Sequence, residues 1–278
     1  MVKFEYAEDV CALPLVRRMA ALLDRNPELL KVGDPLPIGW HVMLFNPPTK
    51  QCSLRSDGAA DLGFEMPDLN FPRLMMGGRS IVFESNIPIG ATVKRVSKLG
   101  AVSMKKGRSG SFALVEVKHR LSLAENDITA VVETINYILR PADNTEDNKD
   151  VEIKSQKIET EVKYNPEAIV RTIIPDETML FRYSAITDNP HRIHYDRDYA
   201  KKIEGYPDLV VNGSLPQVML LEIFRDYVGR DPIRYKGRNC APIFCGERLR
   251  LSVVEEADHY NLVAHTASGE IAIEAKAW

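Results

Sequence analysis

Hydrophobic positions recur along this chain with two different periods, and the switches between those periods outline its elements. Leu13, Leu15, Val16, Met19, Leu22 and Leu23 fall on one broad face at three-and-four spacing until Asn26-Pro27 breaks the run, which predicts a helix. From Gly33 to Gly78 the sequence is rich in proline and glycine and holds no period. Four runs with β-branched and aromatic bias then predict strands: Arg79 to Glu84, Thr92 to Met104, Ser111 to Leu121 and Ile128 to Leu139. Lys105 to Gly110, between two of them, reads as a hairpin loop.

From Arg140 to Asp150 the chain turns charged and amide-rich, a linker by composition. Past it, Ile169 to Ile174 reads as a strand, Asp176 to Ile186 as a helix and Asp198 to Ile203 as a short helix. Gly213 to Val228 is the strongest helical pattern. Its apolar residues, Leu215, Val218 to Leu221, Ile223, Phe224, Tyr227 and Val228, surround most of the circumference, as expected of a helix wrapped by sheet. Pro216 falls in the first turn, where the proton it lacks would have had no partner. Strands follow near Ile233 to Tyr235, Glu247 to Val254, Asn261 to Thr266 and Glu270 to Ala275. Each half thus offers about four strands and one main helix. The expectation is an α+β chain of two domains, 1–145 and 151–278, each an antiparallel sheet curled around a helix.

Composition narrows the function classes. The chain has 278 residues, 45% hydrophobic and 27% charged, enough for a sizeable core and for two domains. A net charge of −3 gives no general drive toward nucleic acid or anionic membrane. No run reaches the roughly 18 apolar residues of a spanning helix, and Met1 to Asp9 lacks the pattern of a secretory signal. The expected location is the cytoplasm, with the mitochondrial matrix as the second possibility. Cys11, Cys52, Cys240 and Cys245 are scattered without metal or redox spacing, so buried reduced thiols are expected, with no disulfide, metal or cofactor.

The densest chemistry lies between Phe181 and Asp196, where two histidines, an arginine, carboxylates and a carboxamide crowd around Pro190. His194-Tyr195-Asp196 resembles the histidine end of the motif of the MaoC-like (R)-specific enoyl-thioester hydratases. Leu209 to Gly213 resembles the turn in which that family places a glycine whose amide faces the thioester carbonyl. Gly33 to His41, Met76-Gly77-Gly78-Arg79, Lys106 to Gly110, His191 to Asp196 and Ala241 to Phe244 resemble a subgroup. It contains mesaconyl- and itaconyl-CoA hydratases and mitochondrial 3-hydroxyacyl-thioester dehydratases. Two positions depart from the family. Asn189 stands where it has aspartate, with Asp188 one place too early, and Asn212 stands where it often has histidine.

The resemblance implies a double hot-dog fold, with a degenerate first half that widens an acyl tunnel and a catalytic second half. It implies addition of water to, or its removal from, an enoyl thioester such as mesaconyl-CoA or itaconyl-CoA. The partner is then an acyl-CoA or acyl-carrier thioester, and a homodimer is expected. His194 is the expected base and then acid, acting near neutrality without a large pKa shift. Asn189 orients the water, or Asp188 serves as a second base. The Gly213 amide, at the positive end of a helix, suits the enolate oxygen. Tyr183, Arg192, Asn212 and Ser214 are candidate substrate contacts, set against a helix face for Tyr183 and Arg182, a loop-holding role for Arg192 and capping for Asn212 or Ser214. Asp196 is expected to cap the short helix. Lys105, Lys106, Arg108, Lys201 and Lys202 are candidates for coenzyme A phosphates. His41, His119, His259 and His265 are expected to be structural. The alternatives kept open are a non-catalytic acyl-thioester binder, a hot-dog thioesterase, and a carrier or reductase subunit that recruits thioesters.

Overall fold

The structure is a computed structural model that describes residues 4–60, 62, 64–107, 110–141 and 168–278. Most of the expected linker, with the boundary between 145 and 151, and Arg108 and Ser109 of the expected hairpin loop lie outside the described residues.

Among the described residues, ten strands form one antiparallel sheet. The first half contributes β1 (Phe4–Val10), β2 (Arg73–Phe83), β3 (Thr92–Gly107), β4 (Gly110–Leu123) and β5 (Thr129–Arg140). The second contributes β6 (Ile169–Ile173), β7 (Arg234–Asn239), β8 (Leu249–Glu255), β9 (Tyr260–His265) and β10 (Ile271–Ala277). Their spatial order is β1-β3-β4-β5-β2-β7-β10-β9-β8-β6. Read from each outer edge inward, both halves follow the same order: first strand, third, fourth, fifth, second. The halves meet where β2 pairs with β7, with Arg79 opposite Gly237 and Ile81 opposite Tyr235.

The strand expectations hold with corrections. Lys105 and Lys106, expected in the hairpin loop, extend β3 and pair with Phe112 and Ser111, and β7, expected near Ile233 to Tyr235, runs on to Asn239. β1 escaped notice because its apolar residues Tyr6 and Val10 face solvent while the charged Glu5 and Asp9 are half-buried. Glu8 lies opposite Lys94 of β3, so charge rather than apolar period marks its register. β2 starts at Arg73, before the expected Arg79, because a register shift between Met76 and Gly78 carries the ladder past the two glycines.

The helices are α1 (Leu13–Leu22), α2 (Glu177–Ile186), α3 (Arg197–Lys202) and α4 (Leu215–Val228). Every residue of α4 from Leu215 to Phe224 is buried, at roughly 1.5–3 kcal/mol for each large apolar side chain removed from water. It packs on β8 and β9. Among its described residues the first half has no helix of this kind. Its α1 lies against α2, and the described residues between 23 and 72 form no strand, with short 3₁₀ turns at Pro27–Leu29, Trp40–Met43 and Gln51–Ser53.

That irregular segment closes over α4. The Trp40 indole donates to Glu222 Oε1 at 2.9 Å and Arg25 Nε donates to Glu222 Oε2 at 2.8 Å. A side chain at Gly39 would meet Leu221 Cδ1 at 2.6 Å. One apolar cluster therefore draws on both halves, whereas a smaller one, Ala113, Val115, Val117 and Leu139, belongs to the first half alone. The inner face of the first-half sheet also carries buried polar side chains: Ser97, His119, Glu133 and Arg79. Cys11 and Cys245 are buried as expected, but Cys52 and Cys240 are exposed, the one in a loop turn and the other just past the end of β7.

Candidate active site

The candidate residues are gathered by the end of α2, a 3₁₀ turn at Arg192–His194 and the start of α4. Asp176 caps α2 by accepting from the Met179 amide at 2.7 Å. The helix ends at Thr187, after which Asp188 takes a left-handed conformation at φ 42° and the Asn189 amide returns to the Ser184 carbonyl at 2.9 Å. This is the closing pattern in which the residue past the helix end turns left-handed. The local physics separates the two candidates. Asp188 is exposed, while Asn189 is half-buried and its Oδ1 accepts from the His191 amide at 3.2 Å.

His194 is buried, and its Nδ1 lies 2.7 Å from the Val210 carbonyl oxygen. A carbonyl can only accept, so Nδ1 carries the proton and the lone pair sits on Nε2. Burial depresses the His194 pKa to about 4, against the Val210 bond, which raises it, and together with the neighbouring His191, which lowers it further. This corrects the expectation of an unshifted histidine. The ring sits in a site too dry to favour the imidazolium, and it is neutral at pH 7. The His191 ring meets it edge-on with centroids 5.7 Å apart.

Val210 belongs to a short extended segment pinned on both sides. Its amide donates to Ile193 at 2.9 Å, the Val211 amide to Ile243 at 2.8 Å, and the Cys245 amide to Leu209 at 2.9 Å. Three residues after Val210 comes Gly213, exposed, just ahead of the Ser214 cap of α4. The peptide that holds the imidazole is thus nearly continuous with the helix end that offers a free backbone donor. α2 is tied to the same place, since the Tyr183 hydroxyl and Ser214 Oγ lie 2.7 Å apart. Burial raises the Tyr183 pKa to about 12, against Ser214 and Arg79, which lower it, so the phenol keeps its proton. Asn212 is buried, with Nδ2 3.3 Å from Ser184 Oγ and Oδ1 without a partner.

Other expected residues have structural posts. Arg192 donates to Asp196 Oδ2 from Nε and Nη2 at 3.1 and 2.8 Å and stacks over the Tyr199 ring at 4.1 Å, contacts that brace the loop. Asp196 caps α3 by accepting from the Tyr199 amide at 3.0 Å, as expected. Arg182 is exposed on α2. Lys202 pairs with Asp198 at 2.7 Å and Lys201 approaches Asp208 at 3.9 Å. His41 and His119 are buried near Glu133, so they have the spatial partners that their isolation in sequence concealed. His259 reaches Asp258 and Asn261 on the surface.

Sequence reasoning missed the first half's hold on this loop. The Arg192 amide donates to the Asp57 carbonyl at 2.8 Å, and Asp57 Oδ2 lies 4.0 Å from His191 Nε2. Gly58, at φ 80°, lets the Pro190 carbonyl come within 2.4 Å of where a side chain would start. The Asp57-Gly58 turn sits inside an otherwise patternless stretch and resembles any surface turn. A recess lined by Leu36, Gly39, His41 and Phe83, among others, contains none of the candidate residues. The site is therefore placed by the loop and helix geometry and not by that recess.

A neutral imidazole held by Val210 and, three residues on, a helix start whose Gly213 amide has no partner among the described residues are suited to moving a proton while charge builds on a carbonyl oxygen. The fold is shared with solved structures. HtdX of Mycobacterium tuberculosis superposes with a TM-score of 0.69 at 16% identity over 99% of both chains. Another M. tuberculosis protein, described as having a double hotdog fold, superposes at 0.62 and 10% identity over 100% of this chain and 94% of that one. The architecture is thus the double hot-dog fold of MaoC-like hydratases and dehydratases. A profile of the hydroxyacyl-thioester dehydratase type 2 family matches residues 39–245, and the chain belongs to that family. The mesaconyl-C(4)-CoA hydratase of Chloroflexus aurantiacus is 34% identical over 273 residues, 98% of this chain and 93% of that protein. The chemistry is that of a carbon–oxygen lyase, the reversible addition of water to an enoyl thioester. Among the described residues, no helix is long and apolar enough to cross a membrane.

Proposed function

We propose that the second half carries the reaction, that His194 is the base and acid, that the Gly213 amide holds the enolate oxygen, and that the substrate is a short enoyl-CoA such as mesaconyl-CoA or itaconyl-CoA. The observation that carries this reading is the hydrogen bond from His194 Nδ1 to Val210, which leaves Nε2 as the acceptor. In hydration, the water oxygen bonds to C3 as its proton passes to Nε2. The C2–C3 π electrons move onto the thioester oxygen, where a backbone donor is commonly worth roughly 3 kcal/mol of barrier. The imidazolium then returns its proton to C2, and the neutral ring is restored. A ring whose pKa is depressed to about 4 is a modest base but a strong acid once protonated, which favours that last step. Asn189, spent on the His191 amide, orients the loop and supplies no second base. Such an enzyme works where acyl-CoA is handled, in the cytoplasm or the mitochondrial matrix.

The test follows loss of enoyl absorbance with the wild type and His194→Ala. The expected result is a drop in kcat of about 1,000-fold, with thioester binding retained. A wild type that binds enoyl-CoA without turning it over would make the protein a binder. Release of free coenzyme A would make it a thioesterase.

A further inference from the structure

The buried polar side chains on the first-half sheet are not used by the chemistry above. On adjacent strands, Ser97 lies opposite His119 and His119 opposite Glu133. Arg79 Nε reaches Glu133 Oε1 at 3.2 Å and His41 Nε2 reaches Glu133 Oε2 at 3.6 Å. Neither Arg79 Nε nor Glu133 Oε1 makes a hydrogen bond of proper geometry, and both are buried. Burial works against the Glu133 charge, but Arg79 and His41 prevail and bring its pKa down to about 2. The carboxylate is therefore ionised, which is how a guanidinium is tolerated here in the resting protein.

A methionine joins this arginine to the candidate oxyanion site. Arg79 Nη2 points at Met76 Sδ, 3.7 Å away. Met76 Cε lies 3.5 Å from where a side chain on Gly213 would begin. Asn239 Nδ2 stitches the same region together, donating to the Met76 carbonyl at 3.0 Å and to the Gly213 carbonyl at 3.4 Å. A flexible thioether thus fills the gap between the backbone donor and the guanidinium, and it can swing aside at little cost. Across the β2 to β7 seam, Arg79 lies opposite Gly237, whose missing side chain makes room for two polar groups. A Cβ at Gly237 would lie 2.6 Å from the Tyr235 hydroxyl and 2.9 Å from Gln217 Oε1. Both of those atoms are buried without partners.

We infer that Arg79, with the Tyr235 hydroxyl beside it, receives a carboxylate at the far end of the acyl group, once Met76 has moved. The enzyme is then selective for enoyl thioesters that carry a second carboxylate. An apolar chain end would leave the Arg79 Nη edge and the Tyr235 hydroxyl without an oxygen acceptor, whereas a carboxylate accepts from both. Glu133 occupies the Nε side of the guanidinium, and the Nη edge toward Met76 is the side left for the incoming carboxylate, which Arg binds in a fork. Arg95, also drawn to Glu133 and Tyr137, adds a second positive charge to the same wall, with Glu5 and Asp9 further out.

This inference rests on the hydratase reading, and the experiment keeps the two apart. It compares kcat/KM for mesaconyl-CoA, thioester-linked at C4, with that for crotonyl-CoA, which has the same four-carbon chain without the acid. Succinyl-CoA and butyryl-CoA, used as inhibitors, report the same discrimination without chemistry. The wild type is expected to favour the diacid in both comparisons. Arg79→Met is expected to lower the diacid-to-crotonyl ratio roughly 100-fold, the loss typical of unpairing a buried carboxylate. Tyr235→Phe, which keeps the packed ring, is expected to lower it roughly fivefold, and it decides the matter if Arg79→Met does not fold. A wild type that prefers crotonyl-CoA, or variants that slow both substrates alike, overturns the assignment while leaving the hydratase reading intact. A wild type inactive on both overturns the reading and this assignment with it.

Discussion

The two halves of this chain share a strand order and differ in what their sheets enclose. The second half wraps β8 and β9 around α4, and its catalytic candidates hang from that helix's first turn and from the loop before it. The first half has the same five-strand order but, among its described residues, no such helix, and its sheet carries Arg79, Glu133, His119 and an irregular segment. A sheet without its helix loses apolar burial, and the first half recovers it by lending Trp40, Gly39 and Arg25 to α4. The first-half sheet thus encloses charged side chains and a small apolar cluster where the second half encloses α4.

Two substitutions sharpen this contrast. Phe224 is fully buried in the cluster common to both halves and meets Tyr260 edge-on at 5.2 Å. Phe224→Ala is expected to cost about 3–5 kcal/mol in a denaturant melt. Val117→Ala, in the small first-half cluster, is expected to cost roughly 1–2 kcal/mol in the same melt. Equal losses would mean that the core is not centred on α4. A third substitution tests the loop contact. Gly58→Ala is expected to cost roughly 2 kcal/mol, from the left-handed conformation and the clash with the Pro190 carbonyl. Because it displaces the His194 loop, kcat is expected to fall about tenfold. An unchanged kcat would mean that the first half contributes nothing to positioning the base.

Much of the fold was legible because α4 and strands such as Ser111 to Leu121 carry strong periods. β1 was not, since its half-buried positions include the charged Glu5 and Asp9 while Tyr6 and Val10 are exposed. The candidate site was legible as a cluster, but not in its orientation. Whether Asp188 or Asn189 turns inward is decided by how α2 ends, where the left-handed residue faces water and the next one returns. The depressed His194 pKa was invisible because burial comes from elements far apart in sequence. Arg79 and Glu133 did leave a trace. Arg79 alternates with Ile81, and Glu133 with Val131 and Ile135, so both put charge in the buried phase of a strand. Only the pairing of β2 with β5 brings the two traces together.

The central claim is that His194 is a neutral base with its proton fixed on Nδ1. A ring with its folded pKa below the unfolded value of 6.5 binds its proton less readily when folded, so acid destabilises the protein between about pH 6.5 and about pH 4, and catalysis keeps its base throughout the neutral range. The direct measurement is a pH titration of histidine-labelled protein by ¹⁵N NMR, with His194 assigned by its loss in His194→Ala. The account predicts the Nδ1–H tautomer at pH 7 and no protonation until the pH approaches about 4. A midpoint near 6.5, or the proton on Nε2, would contradict it, because the lone pair that must accept the proton from water would then be missing or elsewhere.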